Sequence, residues 1–276
     1  MRLMFSTSSK ILRAILMTCS DKGHFEINLL MKHNVGDPKS VFTTIRIGLD
    51  GPIHLDGHLK RLIESHASLF GSNLEIEENE ILDIIFHASD QQELPHLVRV
   101  DIDRSERITA SPRPLTRMPK EISLSTQPLP PGPNSPRIKQ GDWAAYLEAR
   151  RMANYDGADA ALLINQDLVV DGDTFTPIFI LENGDIALPA LDLGAVKSVT
   201  LHQILNQDRS SRVTPLQMRI TLSDAYSCLS AAAVGSGMGI RRILSINGKE
   251  IGTNSDVDLA NILNRQHNLD RGENHD

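Results

Sequence analysis

The chain has 276 residues, 40% of them hydrophobic, with 28 Lys and Arg against 35 Asp and Glu and a formal net charge of −7. That is enough chain for two domains with separate cores, and the acidic balance gives no general attraction to nucleic acid or anionic membranes. Two distant cysteines, Cys19 and Cys228, suggest neither a disulfide framework nor a cysteine metal site, and no histidine pair shows metal-ligand spacing. The expectation is a protein of a reducing, cytoplasmic compartment with a small-molecule ligand and no metal.

Residues 1–24 read as a leader. Within residues 1–20, Arg2, Lys10 and Arg13 occur without an acid and interrupt the apolar run that a secretory segment needs. Organellar import is one reading, and an early start codon before Met17 or Met31 is the other. No run of roughly 18 apolar residues occurs, so no transmembrane helix is expected and the protein should be soluble.

HFEINLLM reads as a strand, and VFTTIRI at 41–47 alternates apolar and polar residues as a second strand, with a hairpin turn at Asp50-Gly51. Leu59, Leu62, Ile63, Ala67 and Leu69 recur at helical spacing before Gly71, a C-cap residue by type. A second amphipathic helix is predicted over 75–88, then strands in HLVRVDI and RITASPRPL. These elements make the N-terminal domain, 25–126, an α+β unit.

The stretch QPLPPGPNSPRI holds five of the fourteen prolines. It reads as a stiff linker, placing the domain boundary at 127–137. Beyond it, the C-terminal domain at 138–265 opens with a helix over 142–155, followed by short strands in ADAALLI, LVV, TPIFIL and DIALP. VTLHQIL and LSDAYSCLSA alternate helix and strand before RRILSING and a last helix in DVDLANILNRQ, and residues 266–276 form a polar tail.

Order and spacing add what composition does not. VFTTIRI, a turn and HLKRLIESHASLFG resemble the N-terminal signature of the class IV, or fold-type IV, pyridoxal-phosphate (PLP) family, with His58, Arg61, Leu62, Ser65 and Leu69 on its pattern and His66 replacing an Ala. IKQGDWAAYLEARRMANYDGADAALLI resembles the segment in which that family's catalytic lysine opens the second domain. From Lys139 to Leu201 the chain lies beside a typical aminodeoxychorismate-lyase pattern without a gap. The resemblance covers roughly residues 25–250 and implies a mixed α/β, two-domain fold like that of D-amino-acid aminotransferases, PLP as cofactor, and a homodimer.

Such chemistry needs a lysine that carries the cofactor and moves a proton at the substrate carbon, and Lys139 is the candidate. The cofactor's phosphate needs a cation plus helix N-terminal amides and a hydroxyl. By resemblance these are Arg61, Val199, Thr200 and Ser230. An acid must face the ring nitrogen, and here the sequence departs from the family. The usual Glu falls on Gly172, the usual Asn on Pro177, and the family's GI-x-R reads Ser198-Val199-Thr200-Leu201. A one-residue shift would bring Asp171 into place, while the Asp171-Gly172-Asp173 tripeptide is also ordinary turn chemistry.

GSGMG at 235–239 fits no phosphate-loop spacing and reads as a loop beside substrate or cofactor. No G-x-S-x-G elbow supports a serine hydrolase. The arginines at 99, 104, 107, 113 and 117 are interleaved with acids, the look of a solvated strand pair.

The resemblance implies first a 4-amino-4-deoxychorismate lyase of folate biosynthesis, releasing pyruvate and p-aminobenzoate. Thr43 is its substrate-side residue, because branched-chain and D-amino-acid aminotransferases more often carry a Glu there. An aminotransferase of the same fold is the second reading. A non-catalytic relative is the third, argued from Gly172, Pro177 and Leu201.

Overall fold

The computed structural model describes residues 39–132, 137–141, 143–207, 215–253 and 256–267. The leader, the strand expected in HFEINLLM, and residues 268–276 of the tail lie outside them. Two sheets organise the described residues.

The smaller sheet is antiparallel, in the order β2-β1-β3-β4. It comprises β1 (Ser40–Gly48), β2 (Gly51–Pro52), β3 (His96–Asp103) and β4 (Ile108–Arg113). Gly48 pairs Gly51 across the expected hairpin. Helices α1 (Leu55–Phe70) and α2 (Glu78–Ser89) cover one face. Their Leu59, Leu62, Ile81 and Ile85 pack on Val41, Ile45, Val98 and Val100. Alternation along β1 therefore sends Val41, Thr43 and Ile45 into this core and Phe42 and Thr44 to the opposite face. Gly71 ends α1 in the left-handed region at φ 75°, its amide donating to the Ala67 carbonyl as the sequence led one to expect.

The larger sheet follows the path β10-β9-β8-β12-β13-β5-β6-β7-β11. Its strands are β5 (Glu121–Pro128), β6 (Ala160–Asn165), β7 (Leu168–Gly172), β8 (Thr176–Ile180), β9 (Ile186–Pro189), β10 (Leu216–Met218), β11 (Ile220–Thr221), β12 (Ser230–Gly235) and β13 (Gly239–Ile246), with β14 (Lys249–Glu250) paired to β13. One face buries Ile122, Leu162, Val169, Phe175, Phe179 and Ala233. On the other, α3 (Ala144–Tyr155) packs Ala149 and Ala153 on Ala161 and Leu163. Helices α4 (Val199–Gln207) and α6 (Leu259–His267) pack on Ile178, Ala232 and Val234. The short helix α5 (Leu222–Ser227) is closed by a Thr221–Asp224 capping box.

The change of sheet precedes the proline-rich stretch. Residues 121–126, which the sequence places in the N-terminal domain without an element of their own, belong to β5, and β5 pairs in parallel with β6 and β13. The boundary expected at 127–137 thus falls inside the larger sheet's connections, and the crossover lies between Arg113 and Glu121. Prolines marked the end of a strand there, Pro128 being the last residue of β5.

Gly57 brings the two halves close. A Cβ on it would lie 2.8 Å from a Val199 methyl, so its lack of a side chain lets α1 approach the start of α4.

Candidate active site

A cavity of about 330 Å³ opens where the outer face of the small sheet meets the α3 and α4 side of the large one, and Phe42, Arg61, Lys139, Asp171, Thr200 and Ser236 all reach its wall.

Lys139 is held by its backbone. Its carbonyl accepts from the Phe42 amide at 2.9 Å, and Gly141 donates to the Ser40 carbonyl at 3.1 Å, so residues 139–141 lie along β1. The Lys139 Nζ sits 4.4 Å from the centre of the Trp143 ring and 5.3 Å from that of Phe42. Trp143 is fixed by stacking on Tyr146 at 3.7 Å and by donating from Nε1 to the Asp173 carbonyl. Burial pushes the Lys139 amine from 10.5 down to about 7; nearby Arg61 pushes the same way and Asp171 opposes it.

Asp171 owes its direction to a bulge. β6 and β7 pair Asn165 with Leu168 and Ile164 with Val169, then slip so that Leu163 pairs Asp171 and Leu162 pairs Gly172. The extra residue, Val170, turns Asp171 to the face of Leu163 and α3, opposite to Val169 in the apolar core. One carboxylate oxygen accepts from the Val196 amide at 2.9 Å and the other from its neighbour Gly172 at 3.0 Å. Burial still raises the acid from 3.8 to about 7, against those two amides and Lys139.

Gly172 faces the other way. A Cβ there would come within 2.6 Å of the Phe175 ring, so an acid at this position would press into the core. Asp173 is committed elsewhere: it accepts from the Ala161 amide at 2.7 Å and pairs with Arg150 at 3.0 Å. Among the described residues, Asp171 is the acid of the tripeptide that pairs with no arginine.

The cations divide in the same way. Arg99 forks onto Asp101, both bonds 2.7 Å, and Arg150 holds Asp173. Arg61 donates to Thr43 Oγ1 at 2.5 Å and to the Lys197 carbonyl at 3.3 Å, and makes no ion pair among the described residues. Desolvation lowers its guanidinium to about 10. Beside it α4 begins, with Ser198 Oγ accepting from the Leu201 amide at 3.2 Å as a cap. The amides of Val199 and Thr200 are in the helix's first turn, where backbone donors have no intrahelical acceptor. The Thr200 and Ser236 hydroxyls meet at 3.0 Å. This is a donor set for a dianion: one unmatched guanidinium, a helix N-terminus and two hydroxyls.

Five residues singled out in the sequence, Arg61, Lys139, Asp171, Val199 and Thr200, share this cavity. Two do not. Thr43 is turned into the small core, where it bonds His58 and Arg61, and Thr44 takes the wall. The alternation of β1 carried that information. Ser230 is buried in β12 and accepts from the Leu259 amide at 3.0 Å, fixing the start of α6. Ser236, within the glycine-rich loop, supplies the hydroxyl at the cavity. Trp143 and Ser198 were missed as wall residues, and only the helix-start pattern around each hinted at a turn.

Residues 40–246 match the family Amino-transferase class IV, and the chain belongs to it. A Methanocaldococcus jannaschii protein assigned as a branched-chain-amino-acid aminotransferase is 26% identical over 133 residues, 48% of this chain and 46% of that one. The chain thus matches about half the length of that curated relative. Among solved structures, a Legionella pneumophila protein assigned as a 4-amino-4-deoxychorismate lyase superposes with a TM-score of 0.69 at 18% identity, over 85% of this chain and 92% of that one. A hypothetical aminotransferase of Mycobacterium tuberculosis in its PLP-bound form gives 0.67 at 15% identity, over 89% and 94%. The fold is therefore the mixed α/β fold-type IV, and PLP is the cofactor of the family.

Proposed function

We propose that this chain is a PLP-dependent enzyme acting on a carboxylated amino substrate, by elimination of the aminodeoxychorismate-lyase type. The observation that carries the catalytic reading is the presence in one cavity of an amine lowered to about 7, an acid without an arginine partner, and a cup of anion donors. The residues fit the cofactor: Arg61, the Val199 and Thr200 amides and the Ser236 hydroxyl for its phosphate, Asp171 for its ring nitrogen, and Lys139 as its covalent anchor.

Bound there, PLP supplies an electron sink for charge developing at the substrate carbon. Lys139 does the proton work. With its ordinary 10.5 lowered to about 7, the amine is present in both forms near neutrality and can take a proton from that carbon or return one. The rings of Phe42 and Trp143 shield its amine from water and hold its position. Asp171, fixed by the Val196 amide, would supply the carboxylate that faces the ring nitrogen.

Elimination is supported by the apolar side chains of Phe42, Leu97, Trp143 and Met118 in the wall, which suit a ring-bearing substrate, with the exposed lining residue Arg113 for a carboxylate. The fold shared with the Legionella protein is compatible with this reading. Amino transfer between an amino acid and a 2-oxo acid is the second reading. The Methanocaldococcus likeness favours it, and Thr43 lies off the cavity, which removes the residue that argued against it. A homodimer is the assembly we expect by analogy with the family.

The deciding experiment is a visible spectrum with added PLP, before and after borohydride, beside Lys139→Ala. A band at roughly 410–430 nm, expected from imine chemistry, that vanishes in the variant supports the reading. No band in either protein overturns it. Pyruvate release from 4-amino-4-deoxychorismate then separates elimination from amino transfer.

A further inference from the structure

One buried titratable group beside the cavity has no part in the chemistry above. His58, on α1, is 1% exposed and does not line the cavity, yet it bridges two of its walls. Its Nδ1 lies 2.7 Å from Thr43 Oγ1, and its Nε2 lies 3.4 Å from Ser236 Oγ. Thr43 is bonded to Arg61 and Ser236 to Thr200, so a continuous path runs Arg61, Thr43, His58, Ser236, Thr200.

The direction of each proton along this path is fixed by counting donors. Arg61 only donates, so Thr43 Oγ1 accepts from it. Thr43 is fully buried, and its own hydroxyl proton has one acceptor within reach among the described residues, His58 Nδ1. That places the imidazole proton on Nε2, pointing at Ser236. Ser236 accepts it and is left to donate, to Thr200 or outward, and Thr200 in turn donates into the cavity. The reverse tautomer would strand the Thr43 proton in the core and make Ser236 spend its proton on His58.

We propose that His58, as its Nε2–H tautomer, is a positioning residue that orients the Ser236 and Thr200 hydroxyl protons toward the anion held by Arg61. The assignment rests on the reading of this cup as the phosphate site. Burial, with Arg61 as the next cause, keeps the imidazole well below its ordinary 6.5 and therefore neutral, as the path requires.

Two measurements test it. In the full-length protein, ¹⁵N-histidine NMR at neutral pH should show His58 neutral with its proton on Nε2; a Nδ1–H signal or an imidazolium overturns the proposal. Quenching of Trp143, the chain's one tryptophan, gives affinities for PLP and for unphosphorylated pyridoxal. His58→Phe should weaken PLP by about tenfold, the worth of a hydrogen bond to a charged group, and leave pyridoxal unchanged. His58→Gln, with a donor and an acceptor at similar reach, should restore most of the loss. Equal weakening of both ligands by His58→Phe means a merely structural role and overturns the proposal, as does an unaltered preference for PLP. If the wild-type protein binds no PLP at all, the functional reading falls and this one with it.

Discussion

The Val196 amide donates to the Asp171 carboxylate at 2.9 Å, a bond between residues 25 apart in sequence that ties β7 to the loop leading into α4. The same loop carries Lys197, whose carbonyl receives Arg61. The acid and the cation of the cavity wall are thus both held by one short segment.

Asp171→Asn should stabilise the cofactor-free protein at neutral pH and abolish most turnover. An acid raised from 3.8 to about 7 in the folded state binds a proton more tightly there than when unfolded. Its ionised form therefore destabilises the fold increasingly as pH rises from about 4 to about 7. Asn keeps an acceptor for the Val196 amide and carries no charge. Thermal melts should show a gain at pH 7 that disappears toward pH 4; a loss of stability at pH 7 would contradict the assignment.

PLP capture by Lys139 should rise as pH passes through about 7, because the neutral amine is the nucleophile and its ordinary 10.5 is lowered to about 7. Arg61 is the second cause of that lowering. Arg61→Gln removes a neighbouring positive charge, so the midpoint of the pH profile should move up while phosphate affinity falls. A midpoint that stays in place would show that burial alone sets the amine.

Gly172→Glu, which restores the residue expected at that alignment position, should damage the protein. The new Cβ meets the Phe175 ring at 2.6 Å, and overpacking of this kind costs about 1–3 kcal/mol. Denaturant unfolding should show Gly172→Ala destabilised and the pair Gly172→Ala, Phe175→Leu partly recovered. Equal losses in both would place the strain elsewhere.

Trp143 should report directly on the site. It stacks on Tyr146 and faces Lys139 at 4.4 Å, and the chain has no other tryptophan. Emission should be quenched on PLP addition and recover in Lys139→Ala once free cofactor is removed. Emission indifferent to PLP in the wild-type protein would show that the cavity stays empty.

The sequence made most of this architecture legible because its signals are local. The helical spacing of Leu59, Leu62 and Ile63, the Gly71 cap and the runs AALLI and TPIFI each report their own few residues, and the structure has them in place. β5 was not read as a strand, because EISLSTQP alternates weakly and runs into prolines. Arg61 and Lys139 were found through motif order. Thr43 and Ser230 do not reach the cavity, for two physical reasons: neighbours in a strand point to opposite sides, which turns Thr43 away, and Ser230 lies at the far end of β12 from Ser236, where it meets the start of α6. Ser236 was hidden in a glycine-rich loop, and its partners Thr200 and His58 are distant in sequence.

The bulge at Val170 also bears on how such a site can change over time. One surplus residue in a strand exchanges which neighbour looks into the cavity, while the sheet around it keeps its pairing on either side. An acid can therefore pass from one position along the chain to the next by a single insertion or deletion, with its carboxylate still facing the cavity. Residue-by-residue comparison reads such an event as the loss of a catalytic group. On the function proposed above, the charge would stay in place in three dimensions, carried by a different residue.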